Sequence, residues 1–206
     1  MTGLLDGHIA LITGGGSGIG RGIALAFAEH GATIIAADIN LAGAAETVAM
    51  IGGNAARAEA LDVTDRAACN ALAAKVKAEV GNLSILVNNA GIVRRATLDT
   101  ENALNDWDDT IGINVNGVFN STYAFLDQLK VTKGRIISIG SIQSFVHTQN
   151  CVAYTTSKHA VKGFCRFALG LRLKGAAAVG STMTTTMTTT TMNNCDAHCC
   201  KSCTST

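Results

Sequence analysis

Thr13-Gly14-Gly15-Gly16-Ser17-Gly18-Ile19-Gly20 joins an apolar run, His8–Thr13, to a helical pattern, Gly18–His30. In that pattern Ile19, Ile23, Ala26 and Phe27 recur at helical spacing, and Gly31 stands where a C-terminal cap belongs. A glycine-rich turn between strand and helix lets the backbone come close to a pyrophosphate. The helix N-terminus adds free N–H groups and the positive end of its dipole. Glycines alone are also compatible with a simple tight turn, so the neighbouring sequence has to discriminate. Asp38 ends the next apolar run, Thr33–Asp38, eighteen residues after Gly20. A carboxylate there accepts hydrogen bonds from the adenosine ribose hydroxyls of NAD and repels a 2′-phosphate. Capping of the following helix is the structural alternative for Asp38.

Further out, Ile85–Asn88 and Arg135–Ser141 are short apolar runs. Asp65–Val80, Glu101–Lys130 and Cys151–Lys174 are helix-like. Strand–helix alternation of this length predicts right-handed crossovers and a parallel sheet covered on both faces. Continuous apolar strands without polar alternation agree with burial on both sides. The fold class expected is therefore α/β, a Rossmann-like doubly wound parallel sheet. The chain has 206 residues, enough for one domain with a substantial core. Its net charge is +1 and 15% of its residues are charged, so no basic excess points to nucleic acid or a membrane surface. No uninterrupted apolar run is long enough for a transmembrane helix, and the first residues show no signal-peptide pattern. Aromatic residues make only 4%, which leaves the core to Ala, Val, Ile and Leu.

The motifs together resemble the short-chain dehydrogenases/reductases, over about residues 5–174. The family's Thr-Gly-x3-Gly-x-Gly stands as Thr13, Gly14, Gly18, Ile19 and Gly20, and its Asn-Asn-Ala-Gly as Asn88-Asn89-Ala90-Gly91. The resemblance implies a cofactor site at the carboxyl ends of the strands. Its residues would be Gly14, Ser17, Gly18, Ile19, Gly20, Asp38, Asp62, Val63, Asn88, Ala90, Gly91, Tyr154 and Lys158. Asp62 and Val63 match the adenine-contacting pair after the third strand.

Tyr154-Thr155-Thr156-Ser157-Lys158 matches the family's Tyr-x3-Lys. Residues four apart share a helix face, which brings the ammonium near the phenol. A free tyrosine titrates at about 10, and a nearby cation favours its phenolate. Ser141, thirteen residues before Tyr154, matches the catalytic serine, and Asn114 the asparagine that holds a water linking the lysine to solvent. The implied reaction is hydride transfer between an alcohol carbon and the nicotinamide, with Tyr154 handling the hydroxyl proton. Singly, each residue has an ordinary reading: a solvated helix face, a turn cap, a local hydrogen bond.

These observations predict an NAD-dependent dehydrogenase for a secondary alcohol and its ketone. The polar Gln143, His147 and Gln149 between Ser141 and Tyr154 point mildly to a hydroxylated, polyol- or sugar-like substrate. The competing expectations are a 3-oxoacyl-thioester-type reductase and an inactive nucleotide-binding fragment. By resemblance, the long helices Glu101–Lys130 and Cys151–Lys174 would pair copies into a dimer or tetramer. No nucleic-acid or membrane partner is expected.

Residues 176–206 differ in character from residues 1–175. They form a Thr- and Cys-rich, low-complexity tail, expected to be disordered. The family's Pro-Gly segment is not found, since the chain has no proline, and the sheet is expected to be C-terminally incomplete. Of seven cysteines, Cys69, Cys151 and Cys165 read as buried free thiols, in keeping with a cytoplasmic protein. Cys195, Cys199, Cys200 and Cys203 crowd beside His198, but adjacent Cys199-Cys200 fits no strong zinc spacing, so no metal site is expected.

Overall fold

A computed structural model describes residues 3–170. Its sheet has five parallel strands in the order β3-β2-β1-β4-β5. They are β1 (Ile9–Thr13), β2 (Thr33–Asp38), β3 (Ala56–Ala60), β4 (Ile85–Asn88) and β5 (Arg135–Ser138). The helices are α1 (Gly18–Glu29), α2 (Leu41–Ile51), α3 (Arg66–Glu79), α4 (Ala103–Ile111), α5 (Gly117–Thr132) and α6 (Val152–Gly170). The direction in which successive strands are added reverses between β1 and β4. The loops leaving these strands therefore diverge and open a crevice at the carboxyl edge of the sheet. The expected doubly wound α/β architecture is present. The tail 176–206, with its cysteine cluster, lies outside the described residues.

Period-two side-chain alternation sends the strand residues into two cores. Leu11, Ile35 and Leu86 pack with Leu72, Val76, Phe125 and Leu129 from α3 and α5. Ala10, Ile12, Ile34 and Val87 pack on the other face with Ala24, Ile23 and Phe27 of α1. Asp65 caps α3 through the N–H groups of Ala67 and Ala68, so the Asp65–Val80 pattern is a helix with its two caps. Strand β3, Ala-Arg-Ala-Glu-Ala, lies at the sheet edge and is only partly buried.

Two expected elements are corrected. Glu101–Lys130 is not one helix. It begins at Ala103 and is broken by a π-helical turn at Gly112–Asn116 before continuing as α5. Gly117 opens α5 where a Cβ would lie 2.5 Å from Val63 Cγ2, and Asn114 is drawn towards the segment after β4. Both features fall where the extra residue of the π-helical turn widens the helix. Arg135–Ser141 is likewise shorter as a strand. It ends at Ser138, and Ser141 caps a 3-10 turn over Ile142–Ser144.

Candidate active site

The glycine loop is held from behind by β4. Asn89 donates its side-chain amide to Thr13 O and Gly14 O, at 3.0 and 3.1 Å. The Thr13 hydroxyl accepts the N–H groups of Asn89 and Ala90. Gly14 has a φ of +65°, and a Cβ on Gly20 would stand 2.0 Å from Gly14 O. The first requires a left-handed residue and the second a bare backbone where α1 crosses the loop. Ser17, the N-cap of α1, makes no side-chain capping bond. Its hydroxyl and the first N–H groups of α1 remain free for an anion.

At the end of β2, Asp38 Oδ2 accepts Gly16 N–H at 2.9 Å and Oδ1 accepts Asn40 N–H at 2.9 Å. The carboxylate therefore fastens the loop, yet each oxygen keeps acceptor capacity for a diol. The helix-capping alternative fails, because Asn40 caps α2. Asp62 accepts the N–H and hydroxyl of Thr64 and stays exposed, while Val63 is buried beneath Gly117.

At the other end, Lys158 is buried, with its Nζ donating to Ile139 O at 2.8 Å and lying 5.6 Å from the Tyr154 ring centre. Burial pushes the lysine down to about 8. Ser141 accepts Gln143 N–H at 3.2 Å. Asn114 is buried and hydrogen-bonded through both its amide oxygen and its amide nitrogen. Its Oδ1 accepts Ile92 N–H at 2.8 Å, and its Nδ2 donates to Ile92 O and Ser157 Oγ, both at 3.0 Å. Its side chain thus ties the post-β4 segment to α6 at Ser157, whose hydroxyl donates to Tyr154 O at 2.7 Å.

One cleft of about 800 Å³ joins the two ends. It brings together Gly14, Ser17, Gly18, Ile19, Asp38, Asp62, Val63, Ala90, Gly91, Ser141, Tyr154 and Lys158. Gly20, Asn88 and Asn114 are not in its wall. Gly20 lies behind the loop, and Asn88 turns to Thr122, leaving its Oδ1 buried without a partner. Asn89, Ile39, Ile92, Val93 and Ile139 also line the cleft, although the motifs did not single them out. Asn89 stood inside a quoted motif. The aliphatic residues carried no sequence signal, since apolar residues near strand ends are common. Gln143 is turned away, accepting from the Thr155 hydroxyl at 2.8 Å, and so does not line the substrate end. Among the described residues there is no cluster of metal-ligating side chains, and no helix is long and apolar enough to cross a membrane.

A βα glycine loop, a carboxylate closing β2 and Ser, Tyr and Lys side chains thus share one cleft of a doubly wound α/β fold. The chain belongs to the short-chain dehydrogenase family, whose model matches residues 8–198. The match extends past residue 174, the expected end of the resemblance. D-threitol dehydrogenase of Mycolicibacterium smegmatis is 43% identical over 162 residues, which are 77% of this chain and 62% of that protein. The chain thus spans less than two thirds of that relative's length. A short-chain dehydrogenase/reductase from Burkholderia phymatum, solved with NAD, superposes with a TM-score of 0.76 at 29% identity, covering 81% of this chain and 60% of that one. A Beutenbergia cavernae protein solved with NADP at low occupancy superposes at 0.74 with 35% identity, covering 81% and 67%.

Proposed function

We propose that this chain binds NAD along the cleft and catalyses reversible hydride transfer between a secondary alcohol and its ketone. The observation that carries the reading is the placement of buried Lys158 under Tyr154 at one end of a cleft whose other end is Asp38. The residues present fit a dinucleotide. The free α1 N-terminus with Ser17 would take the pyrophosphate, Asp38 the adenosine ribose, Asp62 and Val63 the adenine side, and Lys158 the nicotinamide ribose. Bound NAD supplies the hydride acceptor. The chain's own residues manage one proton. Ser141 holds the substrate oxygen, and Tyr154 takes the hydroxyl proton in oxidation or returns it in reduction. The Lys158 ammonium stabilises negative charge developing on the phenol oxygen.

Asp38 supports NAD over NADP, because a 2′-phosphate would meet its carboxylate and, among the described residues, no side-chain cation lines the cleft at that end. A polyol- or sugar-like alcohol is the substrate class we favour, on the likeness to D-threitol dehydrogenase. The helices α4, α5 and α6 would join copies into a dimer or tetramer, and the free thiols of Cys69, Cys151 and Cys165 support a cytoplasmic setting.

Fluorescence titration of both cofactors, with turnover of D-threitol and of a 3-oxoacyl thioester, tests the proposal. NAD should bind at least about tenfold more tightly than NADP, as one charge repulsion of roughly 1.4 kcal/mol predicts. Asp38→Ala should narrow that gap. Tyr154→Phe should lower kcat by at least about 10²-fold and leave NAD affinity nearly unchanged. Equal affinity for NADP would refute the cofactor assignment, and thioester turnover without polyol turnover would refute the substrate class.

A further inference from the structure

Behind the glycine loop, outside the cleft, lies a polar strap between α1 and α2. Arg21 of α1 donates Nε to Thr47 Oγ1 at 3.0 Å and Nη2 to Gly16 O, to Gly43 O at 3.4 Å and to Glu46 Oε2 at 2.9 Å. Thr47 is fully buried in α2, and its hydroxyl lies 2.9 Å from Gly15 O and 3.1 Å from Gly43 O. A hydroxyl has one proton to give. With Arg21 donating into it, the Thr47 oxygen is filled from one side and its own proton is directed to those carbonyls, Gly15 O being the nearer.

That carbonyl belongs to the peptide unit whose other end is Gly16 N–H, the group held by Asp38 Oδ2 at 2.9 Å. One peptide plane is thus gripped at both ends, by Thr47 on its oxygen and by Asp38 on its nitrogen. A planar peptide bond cannot turn at one end alone. The next carbonyl, Gly16 O, is gripped by Arg21. Space confirms the tightness. A Cβ on Gly16 would lie 2.8 Å from Asp38 Oδ2 and 3.0 Å from Ala44 N, so the loop has no slack against α2.

We propose that Thr47 and Arg21 are positioning residues that set nucleotide specificity. They orient the Gly15–Gly16 peptide so that Asp38 presents its carboxylate to the cofactor's ribose diol. The proposal rests on the reading of Asp38 as the NAD-selecting group. It adds that selectivity depends on two side chains that do not touch the nucleotide.

The test measures NAD and NADP dissociation constants for the full chain and for Thr47→Val, Thr47→Ser and Arg21→Lys, with melting temperature followed in parallel. Thr47→Val keeps the shape but strands Gly15 O and Arg21 Nε. NAD should bind about tenfold more weakly, NADP should change less, and the NAD:NADP ratio should fall at least fivefold. Thr47→Ser, which keeps the hydroxyl, should restore the ratio. Arg21→Lys loses the directed Nε–H and should lower the ratio in the same direction. It serves as the second reading if Thr47→Val does not fold. A general loss of packing would instead weaken both cofactors equally, and an unchanged ratio in both variants overturns the proposal. If the unaltered chain shows no preference for NAD, the reading of Asp38 has failed as well, which separates that failure from failure of the strap alone.

Discussion

Lys158 carries the least comfortable charge in the described structure. Burial lowers it to about 8, whereas an exposed lysine stands near 10.5. The depression means that folding is opposed while the group is charged, by an amount on the order of 3 kcal/mol. Between about pH 8 and 10.5 the unfolded chain holds this proton and the folded chain does not, so stability gains as pH rises through that window. Lys158→Met removes the buried charge but leaves Ile139 O without its donor, a loss of about 1–3 kcal/mol. The two effects nearly cancel at pH 7. Urea unfolding of the cofactor-free proteins should therefore give similar stabilities at pH 7, and the unaltered chain should gain on the variant by pH 9.5. A gap that does not change with pH would show that the ammonium is solvated. The i,i+4 proximity of Tyr154 and Lys158 was legible in the sequence, because helix geometry alone brings them together. The bond from Lys158 to Ile139 O was not, since a backbone acceptor nineteen residues away leaves no mark on residue identities.

The glycine loop with α1 shows how two local effects of opposite sign are decided by magnitude. An alanine in a helix interior is favoured over glycine by roughly 0.8–1.0 kcal/mol. At Gly20 that gain meets a Cβ placed 2.0 Å from Gly14 O and 2.6 Å from Asn89 Nδ2, of which the first is backbone and cannot swing aside. Overpacking of this kind costs about 1–3 kcal/mol. Gly20→Ala is therefore expected to lower stability by up to about 2 kcal/mol and to weaken NAD binding by pushing the loop from Asn89. A variant more stable than the parent in thermal unfolding would contradict the packing described. Strands β1, β2 and β4 were legible because each is a continuous apolar run buried on both faces. The pattern of β3 was quieter, since an edge strand alternates small and charged residues. The break between α4 and α5 was invisible to periodicity, because it depends on Asn114 reaching Ile92 and Gly117 yielding to Val63, contacts distant in sequence.

At the scale of the whole molecule, α5 is apolar on two sides. One side gives Phe125 and Leu129 to the core, where both are buried. The other carries Phe119 and Tyr123, stacked with ring centres 5.9 Å apart and exposed at 48% and 61%. The i,i+4 spacing aligns them along the helix, and Trp107 of α4 is also partly exposed. Aromatic side chains are enriched at the buried centres of protein interfaces. A second copy of this chain is the occupant we expect, because the same helix meeting itself across a two-fold axis would cover both aromatic pairs at once. The double substitution Phe119→Glu with Tyr123→Glu places four carboxylates in that contact, two from each copy, and like charges there should drive the copies apart. Sedimentation should give a dimer or larger species for the parent and a monomer for the variant. NAD affinity should hold within about threefold, since neither residue lines the cleft. A variant that sediments as the parent does would show that this face of α5 is not where copies meet.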